Sequence, residues 1–324
     1  MNSSTNGNFY SRFLKALELG DLERRTSFVN GAQQIIQNGK VVTAMGASLE
    51  TPMEAPDLIE TIKPEPHLFI FGAGHVSKAL YDLAMLQGMK VTVADERDEV
   101  CTQDRFPRAT RIVMPYEKIL KTDFPVCAPY YIIVTHGHSY DSKCLEYALN
   151  HRSSYIGMIG SKGKVAATME NMKALGYEES ALERVHSPIG LKIGAVTPEE
   201  IAVSIMAEVI SVFRTDKNLV TINPDIVRTM ASKAGVDVRI VEKHGSAPRS
   251  IGSQLFVEED GTLHGTIGGG AIEKKSIEIA KSMMKEKKAY HLEDFSLDAS
   301  SDLGMICGGQ AKVIFTFFEK IVKK

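Results

Sequence analysis

Three glycine-bearing stretches near the C-terminus hold most of the residues able to do chemistry. They are "HGSAPRSIGS" with Arg249, "GTIGGGAIE" with Gly268, Gly269 and Gly270 ahead of Glu273, and "GMICGGQAKV" with Cys307 before Gly308 and Gly309. Glycine loses more backbone entropy on folding than any other residue, and its usual return is positive φ or the close approach of backbone amides to a ligand. If the three loops converge, they make a pocket of backbone N–H groups with one guanidinium and one thiol. Such a pocket suits an anionic, phosphate-bearing ligand with an atom for soft sulfur chemistry. Glu273, one turn into a helical pattern, is placed to orient the site or cap a backbone amine.

A second site-like pattern is "FIFGAGHVSKAL", an apolar strand running into G-x-G-x-x-S and a helix. Gly72 makes the tight turn and Gly74 lets backbone approach a pyrophosphate. Ser77 is the small residue for close helix–sheet packing, and His75 opens the helix. Asp95 closes the next strand about 20 residues on, where an acid accepts from ribose hydroxyls. The loop either holds a dinucleotide or is a tight βα turn with another ligand or none. Arg97 is either a partner for a 2′-phosphate or a solvated arginine. "THGHSYD" places His136, His138 and Asp141 past another strand, as structural hydrogen-bonding groups or metal ligands; no metal site is assigned. "IGSKGK" offers amides with Lys162 and Lys164, for an anion or for solvent. "HSPIGLKIGA" is a rigid loop without assigned chemistry.

The elements that must carry these groups follow from periodicity. From His67 onward, apolar strands ("HLFIFG", "KVTVADE", "YYIIVTHGH", "SYIGMIGS") alternate with helices such as "HVSKALYDLAMLQG", with apolar residues three and four apart. That order gives a doubly wound parallel sheet of Rossmann-like α/β type over residues 66–215. "TPEEIAVSIMAEVISVFR" is its last long helix, with Thr197 and Glu200 as a capping box. "TDKNLVTINP" is read as a linker, and residues 225–324 as a smaller α+β domain. Residues 1–65 form an N-terminal segment: either a plain arm, or a degenerate relative of the C-terminal domain packed beside it.

With 324 residues, 44% hydrophobic and 24% charged, the chain is long enough for two ordinary globular domains. A net charge of -2 gives no case for nucleic acid or an anionic membrane surface. No stretch approaches the roughly 20 apolar residues of a membrane span, and the opening lacks a secretory pattern, so the expected location is the cytoplasm. The four cysteines are far apart, without a C-x-x-C pair; Cys101, Cys127 and Cys144 are read as small buried hydrophobes.

Taken together, "GSAPRSIGSQLFVEEDGTLHGTIGGGAIE" and the later "CGG" resemble the XdhC/CoxI family of accessory factors for xanthine and carbon monoxide dehydrogenases. "HLFIFGAGHVSKAL", "VTHGHSYD", "YIGMIGSKGK" and "HSPIGLKIGAVTPEEIAVSIMAEVI" look like that family's Rossmann domain. The resemblance spans residues 65–215 and 225–318, in the reverse of the family's usual domain order. It implies a maturation factor that binds molybdenum cofactor, assists its sulfuration or insertion, and docks on a xanthine-dehydrogenase-like molybdenum hydroxylase. A cysteine desulfurase is a further candidate partner, and a homodimer is expected because C2 association is the commonest closed assembly. Molybdopterin brings a phosphate for the glycine turns and a metal–dithiolene centre for a Cys307 thiolate, whose pKa nearby amides and Arg249 would lower. The bland alternative is that Cys307 is a small residue in a tight corner. Two other functions stay open: an NAD(P)-dependent oxidoreductase with His136 or His138 as proton donor, and a nucleotide-sensing regulator.

Overall fold

The computed structural model describes residues 6–127, 129–136, 140–215, 218–245, 250–296 and 309–319, with side chains from residue 9. The chain divides into two compact units, one from Met1–Pro64 with Lys217–Lys324, the other from Glu65–Asp216.

Residues 6–62 comprise α1 (Asn6–Glu18), β1 (Leu22–Thr26), β2 (Gln33–Gln37), β3 (Lys40–Met45) and β4 (Leu58–Ile62). β2 and β3 meet in a two-residue hairpin at Asn38 and Gly39, both at positive φ, the turn that matches strand twist. β4 returns antiparallel beside β1.

The Glu65–Asp216 unit contains β5 (His67–Phe71), α2 (His75–Leu86), β6 (Lys90–Asp95), β7 (Thr110–Val113), α3 (Tyr116–Ile119), β8 (Pro129–Ile133), α4 (Asp141–Asn150), β9 (Tyr155–Met158), α5 (Lys162–Ala174), α6 (Glu179–Leu182), β10 (Val185–His186) and α7 (Pro198–Phe213). Its six strands are all parallel, in the order β10-β9-β8-β5-β6-β7. Counted from β5, this is the 3-2-1-4-5-6 Rossmann order read from its other edge, with the reversal of strand order between β5 and β8. Phe69, Phe71, Tyr131, Ile133, Leu145 and Tyr147 fill part of its core. Thr197 and Glu200 form a full capping box at α7.

The chain then re-enters the first unit. Within the stretch read as a linker, β11 (Leu219–Val220) pairs parallel with β4, on the edge of β4 that β1 leaves open. There follow α8 (Pro224–Ser232), β12 (Gly235–His244), β13 (Gln254–Glu258), β14 (Leu263–Gly265), α9 (Gly270–Glu286), β15 (Tyr290–Ser296) and β16 (Gln310–Phe318). The two sheets of this unit run β11-β4-β1-β2-β3 and β14-β13-β12-β16-β15. Their four matching strands share a plan, each set following a helix. The second set adds the triple-glycine turn and α9 before its last strands. Phe9, Phe13, Ile35 and Met45 share one core with Ile226, Met230, Phe256 and Phe318.

Inside this unit lies a buried charge cluster. Glu60 on β4 accepts from Arg24 Nε (2.6 Å) and Nη2 (2.8 Å), and from Arg239 Nη1 on β12 (2.8 Å). None of the three side chains is more than 4% exposed. Burial alone would raise the Glu60 carboxyl, but the two guanidiniums outweigh it and hold it below the usual range. Removing one partner strands buried charge. Glu60→Ala is therefore expected to cost about 3–5 kcal/mol in urea unfolding. Glu23→Ala breaks the partly exposed Arg25–Glu23 pair and should cost about 1 kcal/mol or less. Equal small losses from both would refute the role given to Glu60.

Candidate functional site

The three glycine-bearing stretches leave one end of the second sheet. β12 ends at His244 and β15 at Ser296, and both residues pair with Gln310, the first residue of β16. β14 runs antiparallel to β13 and ends at Gly265 opposite Leu255, toward the same end. The roots of all three stretches thus lie at one end of the sheet, those at His244 and Gln310 paired, and that at Gly265 on the edge strand with β13 and β12 between it and β16. Gly309 is described and buried just before β16, while Arg249, Cys307 and Gly308 lie outside the described residues. Beside the roots at His244 and Gln310 is a cavity of about 180 Å³ lined by Glu242, His244, Asp294, Ser296, Gln310 and Lys312, among others. Lys312 Nζ pairs with Glu242 at 2.8 Å.

The triple glycine needs its residue type for backbone reasons. Gly268, Gly269 and Gly270 have φ of 122°, 71° and 64°, a run that L side chains resist. At Gly269 an added Cβ would meet open space, so φ rather than crowding sets the requirement. The turn wraps one carboxylate. Glu273 Oε2 accepts from the amides of Ile267 (3.0 Å) and Gly269 (3.1 Å) and from the Thr266 hydroxyl. The Gly268 amide donates to Thr266 Oγ1 at 3.0 Å. Burial would raise the Glu273 carboxyl, but these hydrogen bonds prevail and lower it. Two of the amides expected to face a ligand are thus already engaged within the protein, that of Gly269 by Glu273 and that of Gly268 by Thr266.

At the Rossmann-like unit, Gly72 (φ 108°) follows β5 where strand order reverses. A Cβ there would stand 2.4 Å from the Val134 carbonyl oxygen, so the turn admits only glycine. The buried Ser77 hydroxyl donates to the Gly72 carbonyl at 2.6 Å, tying α2 to the turn. Gly74 is the N-cap of α2, with open space at its Cα and no side chain capping the helix. His75 is exposed. Asp95 reaches back to the turn and accepts from the Ala73 amide at 2.7 Å.

Residue types alone did not single out two features of this rim. Arg105 donates to the carbonyls of Ala73 (2.9 Å) and Gly74 (3.3 Å) and so pins the turn; no local motif marks it. Asp141, fully buried, accepts from the Thr135 hydroxyl and from Lys164 Nζ. That joins two of the polar clusters seen in the sequence, whereas Lys162 is exposed. His136 is exposed and His138 lies outside the described residues. Among the described residues no group of three or more His, Cys, Asp or Glu could hold a metal, and no helix is long and apolar enough to cross a membrane.

A Rossmann-like unit with its glycine turn at the strand-order reversal, joined to an α+β unit with three glycine stretches rooted at one sheet end, defines the class. The chain belongs to the XdhC and CoxI family: residues 68–209 match the XdhC Rossmann domain and residues 230–296 match the XdhC and CoxI family model. It is 34% identical over 155 residues to a probable xanthine dehydrogenase subunit of Bacillus subtilis, covering 47% of this chain and 44% of that one. It is 30% identical over 97 residues to the molybdenum cofactor insertion chaperone PaoD of Escherichia coli, covering 30% of each. The matches thus span less than half the length of these curated relatives. A solved structure described as a xanthine dehydrogenase from Bacillus halodurans is 25% identical with a TM-score of 0.49, covering 64% of this chain and 66% of that one.

Glu273→Ala removes the acceptor that gathers the triple-glycine turn. The expected cost is about 1–3 kcal/mol, with faster hydrogen exchange at the Ile267 and Gly269 amides. Unchanged exchange at both amides would show that Glu273 does not hold the turn.

Proposed function

We propose that this chain is an accessory factor for a xanthine-dehydrogenase-type molybdenum hydroxylase, binding molybdenum cofactor and assisting its sulfuration or insertion. The observation that carries this reading is that the three glycine stretches are rooted at one end of one sheet, two of them, at His244 and Gln310, beside a cavity, with the first two inside the residues that match the XdhC and CoxI family model. The kinship with a cofactor insertion chaperone supports it. In this reading the cofactor is cargo. Arg249 and the amides of Gly308 and Gly309 bind its phosphate, and Gly268, Gly269 and Gly270 shape the wall that Glu273 braces. The Cys307 thiolate meets the metal–dithiolene end, since a thiolate is the ligating form of cysteine. A cysteine desulfurase supplies sulfur, the recipient hydroxylase accepts the finished cofactor, and the factor works as a homodimer.

For the Rossmann-like unit we propose nucleotide binding at the Gly72–Gly74 turn. Support comes from the strand order and from a turn that only glycine can make. A bound dinucleotide would serve either hydride chemistry or sensing.

The test of the main reading is anaerobic equilibrium binding of isolated molybdenum cofactor to the full chain and to Cys307→Ala. Micromolar binding by the full chain, weakened about tenfold (about 1.4 kcal/mol) by the substitution, is the expected result. Absence of binding would remove the accessory reading, and equal binding by both would remove Cys307 from it.

A further inference from the structure

Reading the Rossmann-like unit as a nucleotide site assigns Asp95 to ribose hydroxyls, and the hydrogen bonds at the end of β6 leave no room for that role. A carboxylate offers about four lone-pair positions. Oδ1 of Asp95 accepts from the Arg97 amide (3.0 Å) and Arg97 Nε (3.0 Å). Oδ2 accepts from the Ala73 amide (2.7 Å) and Arg97 Nη2 (2.8 Å). All four positions are used, and the side chain is 1% exposed. A hydroxyl arriving here finds no acceptor.

What this strand end offers to solvent is Arg97, whose side chain is 27% exposed. Two parallel bonds to Asp95 fix its guanidinium plane. Of its five side-chain N–H groups, those on Nη1 and one on Nη2 have no hydrogen-bond partner among the described residues. Arg105, by contrast, is spent on the carbonyls of Ala73, Gly74 and Val100. Asp95 bonds both the glycine turn and Arg97, so the guanidinium stands one carboxylate away from Ala73. In a sheet of this order the end of the second strand is where the adenosine ribose lies, and an arginine there accommodates a 2′-phosphate. A fixed guanidinium fork matches a phosphate well and a neutral hydroxyl poorly.

We propose that the Rossmann-like unit takes a dinucleotide whose ribose carries a 2′-phosphate, with Arg97 selecting that phosphate and Asp95 positioning Arg97. This rests on the proposed nucleotide-binding role of the unit and names the ligand class within it.

The experiment is calorimetric titration of the full chain, and of Arg97→Gln and Arg97→Lys, with NADPH and NADH. Melting temperatures confirm that each variant folds. The expected result is NADPH bound about tenfold or more tightly than NADH by the unsubstituted chain. Arg97→Gln should lose that preference, with NADH affinity equal or higher because two Asp95 lone pairs are freed for a ribose hydroxyl, while Arg97→Lys keeps part of it because charge remains without the fork. Equal affinities in the unsubstituted chain, or a preference unchanged in both variants, would overturn the selection by Arg97 and leave the nucleotide site standing. Failure to bind either dinucleotide would overturn both.

Discussion

Glu60 lies between two guanidiniums, Arg24 on its own sheet and Arg239 on the other, and all three have left water. Burying such groups is costly unless each charge finds its partner with good geometry. Arg239 stands 179 residues from Glu60 in sequence. Residues 6–62 are therefore fixed against the C-terminal half by an interaction that fails if either sheet slips. A one-residue slip would turn the charged side chains to the opposite face. The glycine stretches emerge from the sheet that contains Arg239, so the frame beneath the candidate cofactor site depends on this charge cluster.

Above that frame the same chemistry recurs on a smaller scale. At both glycine turns a carboxylate gathers backbone amides: Glu273 in the α+β unit and Asp95 in the Rossmann-like unit. Each turn takes positive φ, which glycine allows, and each acid holds the turn in that shape. Anion-binding turns are usually pictured with their amides waiting for a ligand. Here part of each set is committed inside the protein.

Much of this was legible in sequence where the signal is local. G-x-G-x-x-S after an apolar strand gives the Rossmann-like unit, and T-P-E-E gives the capped start of α7, because both rest on contacts within a few residues. The buried cluster was not legible. In "VDVRI" the alternation of Asp237 and Arg239 with valine and isoleucine reads as a strand with one wet face, yet both are buried because the other half of the unit covers them. Arg97 was open to two readings for a similar reason: only the structure shows that Asp95, two residues earlier, spends every lone pair on neighbouring donors. β11 escaped because two residues carry no periodicity, and its pairing with β4 is set by an edge formed elsewhere in the chain.

The most direct test of the central claim is transfer. An apo form of a xanthine-dehydrogenase-type hydroxylase would be incubated with molybdenum cofactor, with and without this chain, and its bound molybdenum and activity followed over time. The chain is expected to raise both the rate and the extent of active enzyme formed, and to co-purify with the hydroxylase while transfer proceeds. Equal reconstitution with and without the chain would contradict it.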